Sequence, residues 1–277
     1  MHKELKNKTY HHSKYHSFYI QDPKLRHIHK ATVKDRILHH AVFRILYLIF
    51  DKTFIFDSYS CRLNKGTHRA INRFREFARK ANRNNTRTCF VLKCDIRKFF
   101  DSINHTILIG LIKKKVDDEN ALWLIEKIIN SFSILNGKGI PMGNITSQLF
   151  ANIYLNNLDR FVKHKLRVKY YMRYCDDFLI LSERKSYLES ITPSINIFLK
   201  DELGLSLHPD KIFIKTLSSG VDFLGWINFR DHRVLRTTTR KRMFKKLKEN
   251  KKLAIINSYA GLLKHGNTYK LLKNLLF

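Results

Sequence analysis

Two short β-prone runs, residues 169–174 and 178–181, are separated only by Cys175-Asp176-Asp177. So short a gap between apolar runs implies an antiparallel hairpin with a carboxylate pair at its tip. A third carboxylate, Asp95, stands near the end of another apolar run, residues 89–96 (CFVLKCDI), which reads as a buried strand. A single aspartate at a strand end is ordinarily a turn or cap residue. An adjacent pair plus a third strand-end aspartate needs another reason, because like charges repel unless something positive bridges them. Two-metal phosphoryl transfer supplies one: carboxylates hold two divalent ions about 3.5–4 Å apart.

The charge balance says what such a site would act on. Lys and Arg number 53 against 23 Asp and Glu, a formal net charge of +30. Solubility needs far less, so the charge points to a polyanion, and nucleic acid is the one it best fits. With 44% apolar residues and only 10 Gly and 4 Pro, the 277-residue chain can bury a sizeable core and is neither disordered nor collagen-like. Cys61, Cys89, Cys94 and Cys175 contain no CxxC spacing, which leaves no zinc motif or disulfide framework and indicates a reduced, cytoplasmic setting. Residues 1–20 contain no apolar run of signal-peptide kind, and the most apolar stretch, 41–50, is short and broken by Arg44, so no membrane span is expected.

Residues 1–30 are basic and rich in His and Tyr, with a turn at Asp22-Pro23. His2, His11, His12, His16, His27 and His29 fit no defined metal spacing and read as solvated or phosphate-facing. Residues 33–50 carry Val33, Ile37, Ala41, Ile45 and Leu48 at helical spacing. Further helices are expected near 70–80, over 106–131 with a split near Asp117-Asp118, over 144–165, around 184–203 and near 238–257. Short strands are expected near 205–207, 212–215 and 221–226. The tail, residues 230–277, holds 14 Lys and Arg against Asp231 and Glu249.

Several of these segments resemble the ordered motifs of reverse transcriptases. Residues 93–103 (KCDIRKFFDSI) look like the first palm motif and residues 174–177 (YCDD) like the YxDD box. Residues 139–148 (GIPMGNITSQ) resemble the loop and helix start between them, and Phe223-Leu224-Gly225 the primer-grip turn. Residues 58–62 (SYSCR) and Asp35-Arg36 resemble fingers motifs. Any one match is weak, but the set stands in family order over roughly residues 20–228. Where group II intron and retroviral enzymes usually carry QG…SP, this chain has Met142-Gly143 and Ser147-Gln148. Together with GNxxSQLFANIYLNxLD, that pattern is similar to the reverse transcriptases of diversity-generating retroelements. The tail shows no endonuclease, maturase or ribonuclease H segment, which favours that branch over a mobile intron enzyme, with a defence-associated or otherwise domesticated reverse transcriptase as the alternative.

The resemblance implies an α+β right-hand polymerase fold: fingers over residues 1–88, an antiparallel-sheet palm over 89–228 with inserted fingers elements, and a short basic thumb over 229–277. It implies RNA-directed DNA synthesis from deoxynucleoside triphosphates with two Mg²⁺ ions, Mn²⁺ being able to substitute. Asp95, Asp176 and Asp177 would be catalytic and hold the metals, with the Ile96 carbonyl assisting. Lys24, Arg26, Phe100, Met142, Gly143, Gln148 and Lys211 would bind the nucleotide, and Phe223, Leu224 and Gly225 would form the primer grip. Arg240, Arg242, Lys245, Lys246 and Lys248 would clamp nucleic acid. The implied partners are a template RNA, the RNA/cDNA duplex and a basic, oligomeric accessory variability protein. A non-catalytic RNA-binding protein with a polymerase-like shell is the competing class, and the three carboxylates argue against it.

Overall fold

The computed structural model describes residues 1–21, 24–249 and 252–276; the Asp22-Pro23 turn lies outside them. After a short helix α1 (His2–Lys6), strands β1 (His16–Gln21) and β2 (Leu25–Lys30) form an antiparallel hairpin that the composition of residues 1–30 did not disclose. Helices α2 (Val33–Phe50) and α3 (Thr67–Ala81) lead to strand β3 (Phe90–Asp95). Helices α4 (Phe99–Ser102), α5 (His105–Lys113), α6 (Glu119–Asn130) and α7 (Ile145–Arg160) follow, α7 running on into a π-turn, Phe161–Lys165. Strands β4 (Tyr170–Tyr174) and β5 (Asp177–Ser182), helix α8 (Lys185–Leu203) and strand β6 (Phe213–Thr216) complete the central unit. Strands β7 (Val221–Phe223), β8 (Trp226–Asn228) and β9 (Arg233–Leu235) precede α9 (Thr237–Glu249), α10 (Leu253–Leu263) and α11 (Tyr269–Leu276).

The main sheet is antiparallel, in the order β4-β5-β3-β6. Its strands alternate between two hydrophobic clusters. Leu92, Cys94, Phe178 and Ile180 join a core built mainly from α2 and α5–α8. Val91, Met172, Leu179 and Leu181 join a second core with α3 and with Phe223, Trp226 and Met243 of the C-terminal part. Burial on both faces explains why these strands read as continuous apolar runs. The segment expected as a strand at 205–207 makes only an isolated bridge, Leu207 to Ile96. The helix expected over 238–257 is two helices, α9 and α10, with residues 250–251 outside the described set.

The α2 helix spans the expected residues, but its face differs from what the spacing suggests. Leu38, Val42, Leu46 and Phe50 are buried, whereas the stripe Val33, Ile37, Ala41, Ile45, Leu48 faces solvent, with Val33 64% and Leu48 76% exposed. Two apolar stripes run along one helix, and only one meets α7.

The histidines of the N-terminal segment are not all solvated. The Nδ1 atom of His12 lies 2.6 Å from the Ser13 carbonyl, so it donates, which leaves Nε2 as an acceptor in the neutral ring. His39 Nε2, 3.1 Å away, then donates, and its Nδ1 accepts from Thr146. Burial pushes the pKa of His39 down to about 4, keeping it neutral as this chain requires. Among the described residues, no group of three His, Cys, Asp or Glu is gathered closely enough to hold a metal ion by itself.

Candidate active site

Side chains two residues apart on a strand share a face. Val91, Lys93 and Asp95 therefore line one face of β3, grading from apolar to cationic to anionic toward the strand end. Asp95 pairs in register with Asp177, and Tyr174 with Asp177 across the neighbouring hairpin, so the turn is the two residues Cys175-Asp176. Cys175 adopts φ +57°, the left-handed conformation that tight hairpin turns demand. All three predicted carboxylates thus meet at one end of the sheet.

Their electrostatics are unfavourable without a counter-charge. Burial, then repulsion from Asp95, raises the pKa of Asp176. Burial also pushes Asp177 up to about 6, with Asp95 and Asp176 adding to the shift and Lys93 opposing it. Two lysines offset part of the charge: Lys211 Nζ is 2.7 Å from Asp95 Oδ1 and Lys93 Nζ is 3.3 Å from Asp177 Oδ2. Asp177 Oδ1 is buried and has no hydrogen-bond partner in the structure. Crowded hard-oxygen donors with an orphaned carboxylate oxygen suit a divalent cation. Mg²⁺ needs only one or two carboxylates when water and substrate phosphates complete its shell. Ile96 fits an assisting role: the ladder bonds beside it, Arg97 to Ser206 and His208 to Asp95, use other carbonyls.

The Cys175-Asp176 turn is held from beneath by Arg173, which is fully buried with Asp159. Its Nε and Nη2 donate to the two Asp159 oxygens at 2.8 and 2.7 Å, and Nη1 donates to Asn152 and to the Cys175 carbonyl at 3.2 and 2.9 Å. Nη2 also donates to Ser58 Oγ at 3.2 Å. The Ser58–Arg62 motif is thereby tied to the YxDD turn. Sequence reasoning missed this residue; the signal available was an arginine inside an otherwise apolar strand.

The other predicted residues lie on separate elements. Phe100 is half-buried on α4 and packs on the larger core, with its carbonyl accepting from Ile140 at 2.9 Å. Met142 is half-buried, while Gly143 and Gln148 are exposed. The β1–β2 hairpin docks on this loop: His29 N–H donates to the Met142 carbonyl at 2.9 Å, and the Asn144 side chain bridges His29 and Ala31. Gly143 has φ +108°, and a Cβ there would stand 2.7 Å from Ile28, so the close approach requires glycine. Lys24 and Arg26 are exposed on that hairpin. Phe223 is buried, and Leu224 and Gly225, at φ +51° and +86°, make the two-residue turn between β7 and β8. Arg240, Lys245, Lys246 and Lys248 are exposed on α9 and Arg242 is half-buried; α9 seats Met243 in the second core.

An antiparallel sheet with carboxylates at its end, a docked β1–β2 hairpin and a turn-forming hairpin beside it match the arrangement of a polymerase palm. The family model for reverse transcriptase (RNA-dependent DNA polymerase) matches residues 16–228, and the chain belongs to that family. Protein YkfC of Escherichia coli (strain K12) is 26% identical over 255 residues, covering 78% of this chain and 65% of YkfC. The group II intron-encoded protein LtrA of Lactococcus lactis subsp. cremoris is 27% identical, covering 86% of this chain and 50% of LtrA. A solved structure of telomerase from Candida tropicalis with a TWJ fragment of telomeric RNA matches with a TM-score of 0.63 at 14% identity, over 86% of this chain and 48% of that one. That likeness is one of fold, the right-hand polymerase fold. The chain spans about half to two thirds of the length of these relatives. The family generally uses divalent metal ions. No helix among the described residues is long and apolar enough to cross a membrane.

Proposed function

We propose that this chain is an RNA-directed DNA polymerase of a diversity-generating retroelement, copying a template RNA into cDNA with errors concentrated at adenines. The observation that carries the polymerase reading is the meeting of Asp95, Asp176 and Asp177 at the open end of the sheet in a chain of net charge +30. A primer 3′-OH attacks the α-phosphate of a deoxynucleoside triphosphate in line, and pyrophosphate leaves. Two Mg²⁺ ions, or Mn²⁺ in their place, held by Asp95, Asp176, Asp177 and the Ile96 carbonyl, would neutralise charge on the attacking and leaving oxygens. Lys24 and Arg26 bind the triphosphate, a fixed guanidinium suiting charge that builds up on phosphate. Lys211 is in reach of the Asp95 carboxylate and donates a proton to the departing pyrophosphate. Phe100 packs under the sugar and excludes a 2′-OH, so Phe100→Ala is expected to admit ribonucleotides. Phe223, Leu224 and Gly225 hold the primer end, and the basic face of α9 grips the template–primer duplex.

The mutagenic reading rests on Met142, beside Gly143 and Gln148 next to the nascent pair. Methionine offers no hydrogen bond to reward correct pairing, and each ~1.4 kcal/mol of lost discrimination raises errors about tenfold. A basic, oligomeric accessory variability protein completes this reading. The likeness to LtrA, a group II intron-encoded protein, favours a second reading, an intron-type enzyme of ordinary fidelity. Extension of a primer on a defined RNA, with the cDNA sequenced, tests both. Errors concentrated opposite template adenines support the retroelement reading, whereas a low and flat spectrum supports the second. Absence of any extension with Mg²⁺ or Mn²⁺, with and without the accessory protein, overturns the polymerase reading.

A further inference from the structure

We propose that Lys93 is a positioning residue that sets the primer terminus at its working height over the carboxylates, an inference that rests on the polymerase reading above. Lys93 lies two residues before Asp95 and faces the same way. Its side chain is only 15% exposed, too little for a lysine without assigned partners. Its ammonium has two. It is 3.3 Å from Asp177 Oδ2, and it donates to the Asp222 carbonyl at 3.0 Å. Asp222 is the middle residue of β7, one place before the Phe223-Leu224-Gly225 turn. One cation therefore spans from the catalytic hairpin to the strand that carries the primer-grip turn.

The far side of that strand is anchored too. The Asp222 carboxylate accepts from Arg236 Nη1 at 2.9 Å, and the Arg236 N–H donates to the Gly225 carbonyl at 3.0 Å. The primer-grip turn is pinned by Lys93 toward the carboxylates and by Arg236 toward α9. A lysine whose task ended at neutralising Asp177 would have no need of the Asp222 carbonyl. The backbone bond is what converts a charge pair into a spacer: the length of one lysine stem fixes how far β7 stands from Asp177.

The test separates spacing from neutralisation with a double-mutant cycle. A fluorescent base analogue at the primer 3′ terminus reports its seating in chelator, where no turnover occurs. Lys93→Met is expected to unseat the terminus and to lower the extension rate about 10–100-fold, the scale of a misplacement near 1 Å, with the KM for nucleotide little changed. Asp177→Asn keeps the terminus seated. The decisive variant is Lys93→Met combined with Asp177→Asn, which leaves no unpaired charge behind and so guards against simple misfolding. A terminus unseated in the double variant supports spacing. A double variant whose seating matches that of Asp177→Asn overturns the proposal and reduces Lys93 to a counter-charge. Because the seating readout needs no catalysis, a wild-type protein that seats the primer but never extends it counts against the polymerase reading alone.

Discussion

The palm sheet and helix α2 are both rich in apolar residues, and they use them in opposite ways. In the sheet both faces are covered, and a one-residue slip would turn Asp95 and Asp177 into the larger core and move Cys94 and Phe178 out of it to the other face, so register follows from burial. In α2 the spacing identifies a helix but does not choose its face, because two apolar stripes compete. The one the periodicity singles out, Val33, Ile37, Ala41, Ile45 and Leu48, is the one left outside. The proposed site sits where the pattern admits a single answer.

The widest gap between the two regions is expected in activity. Asp95→Asn and Asp176→Asn keep side-chain shape but remove a charge, and each should lower DNA synthesis by on the order of 10³-fold or more while RNA binding persists. Ile45→Ser and Leu48→Ser on the outer stripe of α2 should leave the melting temperature within the effect of about 0.5 kcal/mol. Primer extension beside thermal melts checks both, and a palm-sized loss from the α2 variants would break the contrast.

Stability should separate them next. Arg173→Met strands the buried Asp159 carboxylate and is expected to cost about 3–5 kcal/mol. For a chain of this size that is a fall in Tm of roughly 10 °C. A loss below 1 kcal/mol would show that the network bears little of the fold.

A smaller effect sharpens the electrostatic side. The pKa of Asp177 is raised to about 6, above its ordinary value near 4, so the folded state binds the proton more tightly than the unfolded one. In chelator, the stability difference between wild type and Asp177→Asn should therefore shift against wild type as pH rises from about 4 to about 6 and stay there above that, by roughly 1–3 kcal/mol. Divalent cation should restore stability at pH 7.5 and change little at pH 4.5. Calorimetry of wild type and Asp177→Asn across that range, with and without Mg²⁺, decides it, and a flat difference refutes the burial and repulsion argued for the cluster.

The mildest prediction concerns α9. Replacing Lys245, Lys246 and Lys248 together with Gln should flatten the salt dependence of template binding by up to about 2 in log–log slope, at about 0.7 per phosphate. An unchanged slope would take α9 out of the nucleic-acid interface.

What could be read from residues alone follows the same division. The hairpin of β4 and β5, the strand of β3 and the split between α5 and α6 were legible because short gaps and apolar runs admit few geometries. The β1–β2 hairpin was not, since its strands are largely exposed and carry His, Tyr and Arg rather than an alternating core pattern. The expected strand at 205–207 survives only as a bridge because its partner there, Ile96, lies one residue beyond the end of β3. The carboxylates were found from spacing and Lys211 through the resemblance, but the pairing was not: Lys93 and Lys211 meet the carboxylates across 84 and 116 residues, a pairing no local pattern encodes.

Arg173 carries a consequence for how the molecule comes together. Its guanidinium joins Ser58, Asn152, Asp159 and Cys175, drawn from positions 115, 21, 14 and 2 residues away. A growing chain can pair β4 with β5 as soon as both are made, yet the turn between them reaches its final shape only when the distant Ser58 segment closes over it. Closure of so long a loop is slow relative to hairpin formation. The Cys175-Asp176 turn should then be among the last parts to mature, and a folding intermediate with its sheet already assembled would still lack the finished carboxylate cluster.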